Sequence, residues 1–126
     1  MNTKSKNKRY ALISTYNKSK LDLLCKYFKK NKICIISTGS TSAYIKGKGY
    51  ECISLKDLTK FKEILDGRVK TLHPKLHASL LYKRSNKNHV KTFKSLSFPI
   101  IDFVIVNLYP FEKIIKKNNN LSECIE

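Results

Sequence analysis

Acidic residues are scarce in this chain: 9 Asp and Glu stand against 26 Lys and Arg in 126 residues, a formal net charge of +17. Long apolar runs are missing too. The longest, Phe98 to Leu108, is interrupted by Pro99, Asp102 and Asn107 and is too short to cross a bilayer. The opening stretch, Met1 to Arg9, is polar and basic with no apolar segment behind it, so no secretory signal is expected. The four cysteines, Cys25, Cys34, Cys52 and Cys124, lie far apart, with no C-x-x-C pair and no histidine at zinc spacing. His73 and His77 are four apart, but Pro74 lies between them and the glutamate of H-E-x-x-H is lacking, so no metal site is expected. Neither a Walker A loop nor G-x-G-x-x-G is present. These absences leave a soluble, cytoplasmic domain as the expectation. Hydrophobic residues fill 41% of the sequence, too many for a disordered tract and enough for the core of one domain.

The charge has two readings. A basic surface suits nucleic acid or an anionic membrane. Yet 23 of the 26 basic residues are Lys and only Arg9, Arg68 and Arg84 are Arg, and the lysines are scattered rather than gathered in one stripe. Lys, Asn and Ile together fill 46 of 126 positions, and all three have AT-rich codons. A surface built to read phosphates or bases would use more of the planar arginine fork. Compositional drift on permissive surface positions therefore outweighs nucleic-acid recognition, and no membrane or specific nucleic-acid partner is expected.

Hydrophobic periodicity predicts alternating strands and helices. Tyr10 to Ser14 reads as a short strand. Asn17 is placed to cap the helix that follows, where Leu21, Leu24, Cys25 and Phe28 recur at i, i+3, i+4 and i+7. Ile33 to Ile36 is a continuous, largely β-branched run suited to a strand buried on both faces, and Cys25 and Cys34 read as small core residues. The turn Ser37 to Thr41 opens a short helix ended by Gly47 and Gly49. Tyr50 to Leu55 reads as a weaker third strand, and Asp57 to Leu65 as irregular or briefly helical. Asp66 to Pro74 fits neither period. Lys75 to Tyr82 and Asn86 to Leu96 are helical, Ile100 to Val106 is the strongest strand, and Tyr109 to Lys117 opens a helix. A polar loop over Asn118 to Asn120 and a further helix from Leu121 to Glu126 complete the pattern. The whole predicts an α/β domain with a mainly parallel sheet flanked by helices.

Ligands of open parallel sheets bind beyond the carboxyl ends of the strands. Two such ends carry Ser14-Thr15-Tyr16-Asn17-Lys18 and Ser37-Thr38-Gly39-Ser40-Thr41, each opening a helix. Hydroxyls, free N–H groups and an ammonium at a helix start favour a phosphate, although Ser, Thr and Asn are also ordinary caps. A third group, Arg68, Lys70, Thr71 and His73, shares one loop, with Asn107 and Tyr109 just past the last strand. Such a loop can hold an anion and stabilise developing charge; a solvated basic loop is the plain alternative. The residues alone point to a phosphate-bearing small molecule.

The string Ile64 to Lys75, I-L-D-G-R-V-K-T-L-H-P-K, closely resembles the signature of the IMP cyclohydrolase domain of bifunctional purine biosynthesis enzymes, which join it to AICAR formyltransferase. Val106-Asn107-Leu108-Tyr109-Pro110-Phe111-Glu112 continues the match in order. Upstream, A-L-I-S-T-Y-N-K is similar to the family's A-L-I-S-V-S-D-K, and S-T-G-S-T to its S-T-G-G-T. The resemblance runs from Arg9 to Glu126. It implies a methylglyoxal-synthase-like fold and closure of formyl-AICAR to IMP with loss of water. No cofactor is implied, because the carboxamide nitrogen attacks the formyl carbon of the same molecule. Lys70, Thr71, Asn107 and Tyr109 match catalytic positions. Ser14, Lys18, Thr38, Gly39 and Thr41 match the phosphate-holding turns and Arg68 a neighbour in the same site; Thr15 and Ser40, in those turns, are counted with them as substrate- or phosphate-binding candidates. A homodimer is implied as well.

Several positions depart from the family pattern. Tyr16 stands where the family has Ser, Ser40 where it usually has a second Gly, and, a milder change, His77-Ala78-Ser79-Leu80 replaces H-G-G-I or H-A-G-I. The family's N-I-D-I-G-G, with a catalytic Asp, and A-A-K-N, with a catalytic Lys, do not occur among the 126 residues. Residues 1–8 are therefore expected to form a basic tail and 9–126 an incomplete cyclohydrolase domain without the formyltransferase. Little turnover is expected from the chain alone, and a separately encoded C-terminal part is a possible partner. Two other functions stay open: a non-catalytic phosphate- or nucleotide-binding regulatory module of the same fold, and a small basic nucleic-acid binder.

Overall fold

The computed structural model describes residues 8–117; the expected N-terminal tail lies outside these except for Lys8, and the loop and helix expected after Lys117 lie wholly outside them. Strand β1 (Arg9–Ser14) leads to helix α1 (Leu21–Lys30), strand β2 (Ile33–Ser37) and helix α2 (Gly39–Gly47). Then come the two-residue strand β3 (Ile53–Ser54), the short helix α3 (Leu55–Thr59), helices α4 (Pro74–Leu81) and α5 (Lys87–Leu96), strand β4 (Ile100–Val106) and helix α6 (Phe111–Lys117). The strands form one sheet in the order β3-β2-β1-β4, and every pairing is parallel. The expected α/β architecture is what the chain adopts.

Side-chain alternation along the strands splits the core in two. Ala11, Ile13, Ile33 and Ile35 face α1 and α2, meeting Leu21, Cys25, Phe28 and Ile45. Leu12, Ile36 and Ile101 face the other way and are covered by Leu55 and Leu76. Each large apolar side chain buried here contributes about 1.5–3 kcal/mol of transfer free energy. Apart from these clusters, Tyr82 stacks on the buried Phe93, ring centroids 3.9 Å apart.

Some expectations are corrected. The third strand spans Ile53–Ser54 rather than Tyr50 to Leu55, because β3 is an edge strand held by two register pairs, Ile36↔Ile53 and Ser37↔Ser54. Asn17 does not cap α1: its side chain accepts from the Ser19 N–H at 2.9 Å, and the cap position is Lys20, in a left-handed conformation at φ 63°. Cys25 is buried as expected, but Cys34 is only half-buried. By contrast, α4 starts as its sequence dictates. Pro74 takes the first turn, where its missing N–H is harmless, and the His73 Nδ1 accepts from the Lys75 N–H at 3.1 Å. Among the described residues no helix is long and apolar enough to cross a membrane.

Candidate functional site

Because β1 and β2 pair in parallel with Ile13 opposite Ser37, the turns that leave them are neighbours. The Ser14 and Thr38 hydroxyls meet at 2.9 Å. One turn into α2, the Thr41 hydroxyl accepts from the Thr15 N–H at 3.2 Å and donates to the Thr15 carbonyl at 3.1 Å. The Lys18 ammonium folds under the first turn, donating to the carbonyls of Thr15 at 3.2 Å and Tyr16 at 3.3 Å. The Thr15 hydroxyl is buried with no hydrogen-bond partner among the described residues, at the position where the resembling sequences carry Val.

Across the sheet, Asn107 follows β4 directly and reaches the same turn. Its Oδ1 accepts from the Tyr16 N–H at 2.7 Å, and its Nδ2 donates to the Asn17 carbonyl at 2.8 Å. Tyr16 itself packs on the exposed Tyr109, ring centroids 5.0 Å apart, and does not line the cavity described next. Ser40 does not take a positive φ, so its Cβ introduces no backbone strain where the family has glycine.

Beside these turns lies a cavity of about 380 Å³. Thr38, Gly39 and Ser42 of the α2 entrance form one wall. Lys46, Lys56, Lys62 and Lys70 also line it, with Glu63 among them. Lys70 arrives through a tight loop closed by two backbone hydrogen bonds between Ile64 and Val69, 3.0 and 3.3 Å long. Within the loop Leu65, Asp66 and Gly67 are all left-handed, at φ 54°, 56° and 80°. For Leu this is an uncommon, strained state of the kind that gathers at functional loops.

Behind the α2 entrance the polar groups are linked. The Cys52 Sγ lies 3.1 Å from the Ser37 Oγ, the Ser42 and Ser54 hydroxyls meet at 3.1 Å, and the Lys46 ammonium donates to Ser54 at 2.9 Å. Burial, with help from neighbouring Cys52 and Asp22, pushes the Cys25 thiol up to about 11, so it stays protonated at neutral pH.

The structure therefore brings Ser14, Thr15, Lys18, Thr38, Thr41 and Asn107 into one bonded cluster, with Gly39 and Lys70 at the adjoining cavity. Thr71, half-buried, and Ser40, Arg68 and Tyr109, all exposed, do not line that cavity. The sequence reading missed Ser42, Lys46, Ser54, Lys56, Lys62 and Glu63. Ser42 follows Thr38 by one helical turn, a spacing that carried a signal. The lysines carried none, because lysine is everywhere in this chain.

A parallel sheet flanked by helices, with hydroxyl-rich turns at its strand ends, defines an α/β domain. The chain belongs to the MGS-like domain family, whose model matches residues 20–126. It is 48% identical over 121 residues to the bifunctional purine biosynthesis protein PurH of Caldicellulosiruptor bescii, covering 95% of this chain and 23% of that protein. It is 45% identical over 116 residues to PurH of Clostridium acetobutylicum, covering 92% of this chain and again 23% of the relative. The chain thus spans about a quarter of the length of these relatives. Among solved structures, ForH superposes with a TM-score of 0.73 at 22% identity, covering 82% of this chain and 54% of that one, which shows the shared fold.

Proposed function

We propose that this chain serves the IMP cyclohydrolase step of purine biosynthesis, binding formyl-AICAR and promoting its closure to IMP and water. The observation that carries the proposal is the meeting of the β1 and β2 turns, through the Ser14–Thr38 and Thr15–Thr41 contacts, beside a cavity lined by four lysines. The ribotide phosphate goes to the turns, where Ser14, Thr15, Lys18, Thr38, Gly39, Ser40 and Thr41 supply hydroxyls, N–H groups and an ammonium. The base goes toward Lys70. Ring closure joins the carboxamide nitrogen to the formyl carbon; the formyl oxygen becomes an oxyanion, takes up the proton the attacking nitrogen loses, and leaves as water with a second N–H proton as the C=N bond forms. Holding the two groups together lowers the barrier through proximity, and the Lys70 ammonium stabilises the oxyanion. Thr71, Arg68, Asn107 and Tyr109 flank the base in this assignment. As in the resembling family, we take the site to work without a cofactor, in the cytoplasm, in a dimer, with the rest of the longer relatives supplying further groups.

The test is calorimetric titration of IMP and AICAR into the full chain, with formyl-AICAR turnover followed by absorbance. IMP binding that Lys70→Ala weakens at least about tenfold, the scale of one lost charge-assisted contact, supports the proposal. Absence of IMP binding at millimolar concentration overturns it. Nanomolar-to-micromolar binding of any DNA, falling steeply with salt, would favour a nucleic-acid binder instead.

A further inference from the structure

Four lysines around one cavity in a chain of net charge +17 would attract any polyanion. Glu63 is the one acidic side chain among the described residues that line this cavity. Its Oε2 lies 3.9 Å from where a Cβ on Gly39 would stand and 3.7 Å from where one on Gly67 would stand. The Lys70 Nζ lies 3.4 Å from that same Gly67 position. The carboxylate therefore occupies the gap between the turn that opens α2 and the tight loop that carries Lys70. Both glycines are left-handed, at φ 39° and 80°, so the backbone on each side of it takes a conformation that favours glycine.

We propose that Glu63 is a specificity-determining residue that reserves this cavity for the uncharged part of a singly phosphorylated ligand and turns away a second phosphate. The proposal rests on the phosphate site proposed above. A phosphate held by the Ser14 and Thr38–Thr41 turns is satisfied by hydroxyls and N–H groups. A second phosphate joined to it would extend past Gly39 toward the exposed Glu63 carboxylate, and like charges brought side by side repel. A neutral carboxamide meets no such penalty, and it can accept from Lys70 beside it. Glu63 thus offsets the excess of lysine where the excess would otherwise blur selection.

The test titrates orthophosphate and pyrophosphate into the full-length chain, as wild type, Glu63→Gln and Glu51→Gln. Glu51 is exposed and does not line this cavity, so Glu51→Gln makes the same charge change elsewhere. Glu63→Gln is expected to raise pyrophosphate affinity about tenfold relative to orthophosphate, while Glu51→Gln leaves that ratio alone. An unchanged ratio in Glu63→Gln, or an equal gain in Glu51→Gln, overturns the proposal. Failure of all three proteins to bind orthophosphate overturns the phosphate site and the Glu63 proposal with it, whereas an unchanged ratio with orthophosphate still bound overturns the Glu63 proposal alone.

Discussion

The side chain of Asn107 holds the backbone of Tyr16, accepting its N–H at 2.7 Å while donating to the next carbonyl, that of Asn17, at 2.8 Å. A single amide so satisfies a donor and an acceptor of the turn that leaves β1. The turn has no helical ladder of its own to fix it, so it is held from both sides, by Asn107 after β4 and by Thr41 of α2.

Asn107→Ala should loosen this turn without disturbing the core. Each lost hydrogen bond is worth about 0.5–1.5 kcal/mol, so thermal denaturation should show a fall of a few degrees. Orthophosphate binding should weaken more than that fall suggests, because Lys18 and Thr15 belong to the same turn. Asn107→Asp keeps the acceptor but sets a carboxylate against the Asn17 carbonyl, and it should not restore binding. Equal affinity in both variants and wild type would remove Asn107 from the site.

Cys52 gives the second expected outcome. Ser37 is fully buried, and its hydroxyl is partnered by the Cys52 thiol at 3.1 Å. Cys52→Ala leaves that hydroxyl without a partner and should cost about 1–3 kcal/mol. Cys52→Ser keeps a hydrogen-bonding group at nearly the same place and should cost clearly less. Urea denaturation of the two variants decides the matter: equal losses would mean that packing, not the Ser37 bond, is what Cys52 provides.

The third outcome concerns pH. Burial alone would push the Asp102 carboxyl up, but the guanidinium groups of Arg9 and Arg84 outweigh it and hold the carboxyl below its ordinary range. A depressed carboxyl stabilises the fold fully above its unfolded value of about 3.9. That stability is lost as pH falls through the lower folded value. Both arginines are half exposed, so solvent screening limits the contribution to about 1 kcal/mol. The difference in melting temperature between wild type and Asp102→Asn should therefore be constant from pH 7 to 5 and shrink below about pH 4. A difference that grows on acidification would contradict the assignment.

Much of this was legible in the residues, and the reasons differ by element. The i, i+3, i+4, i+7 spacing of Leu21, Leu24, Cys25 and Phe28 gave α1, because an amphipathic face repeats locally. The run Ile33 to Ile36 marked a strand covered on both sides for the same reason. Asn17 misled because an Asx turn and a helix cap use the same side chain, and only the position of Lys20 separates them. Tyr50 to Leu55 was overextended since a strand at the sheet edge ends where its partner ends, which no local pattern records. Among the site residues, Ser14, Thr38 and Thr41 stood out as hydroxyls at strand ends. Lys46, Lys56 and Lys62 come from three separate segments, and the fold alone selects them from 23 lysines. Glu63 lay next to the recognised motif yet outside its charged core, and its place became readable only from the two glycines it faces.

The central strand is also the first one made. β1 pairs with β2 across a short loop and helix, but its other side waits for β4, and the Tyr16–Asn107 bond joins residues 91 positions apart. Contacts of such long sequence separation form late, since the chain between them must be ordered before they can close. On the ribosome, a β1-β2 unit with one unpaired side must persist until Asn107 has left the exit tunnel, and the turn after β1 is held on that side only then.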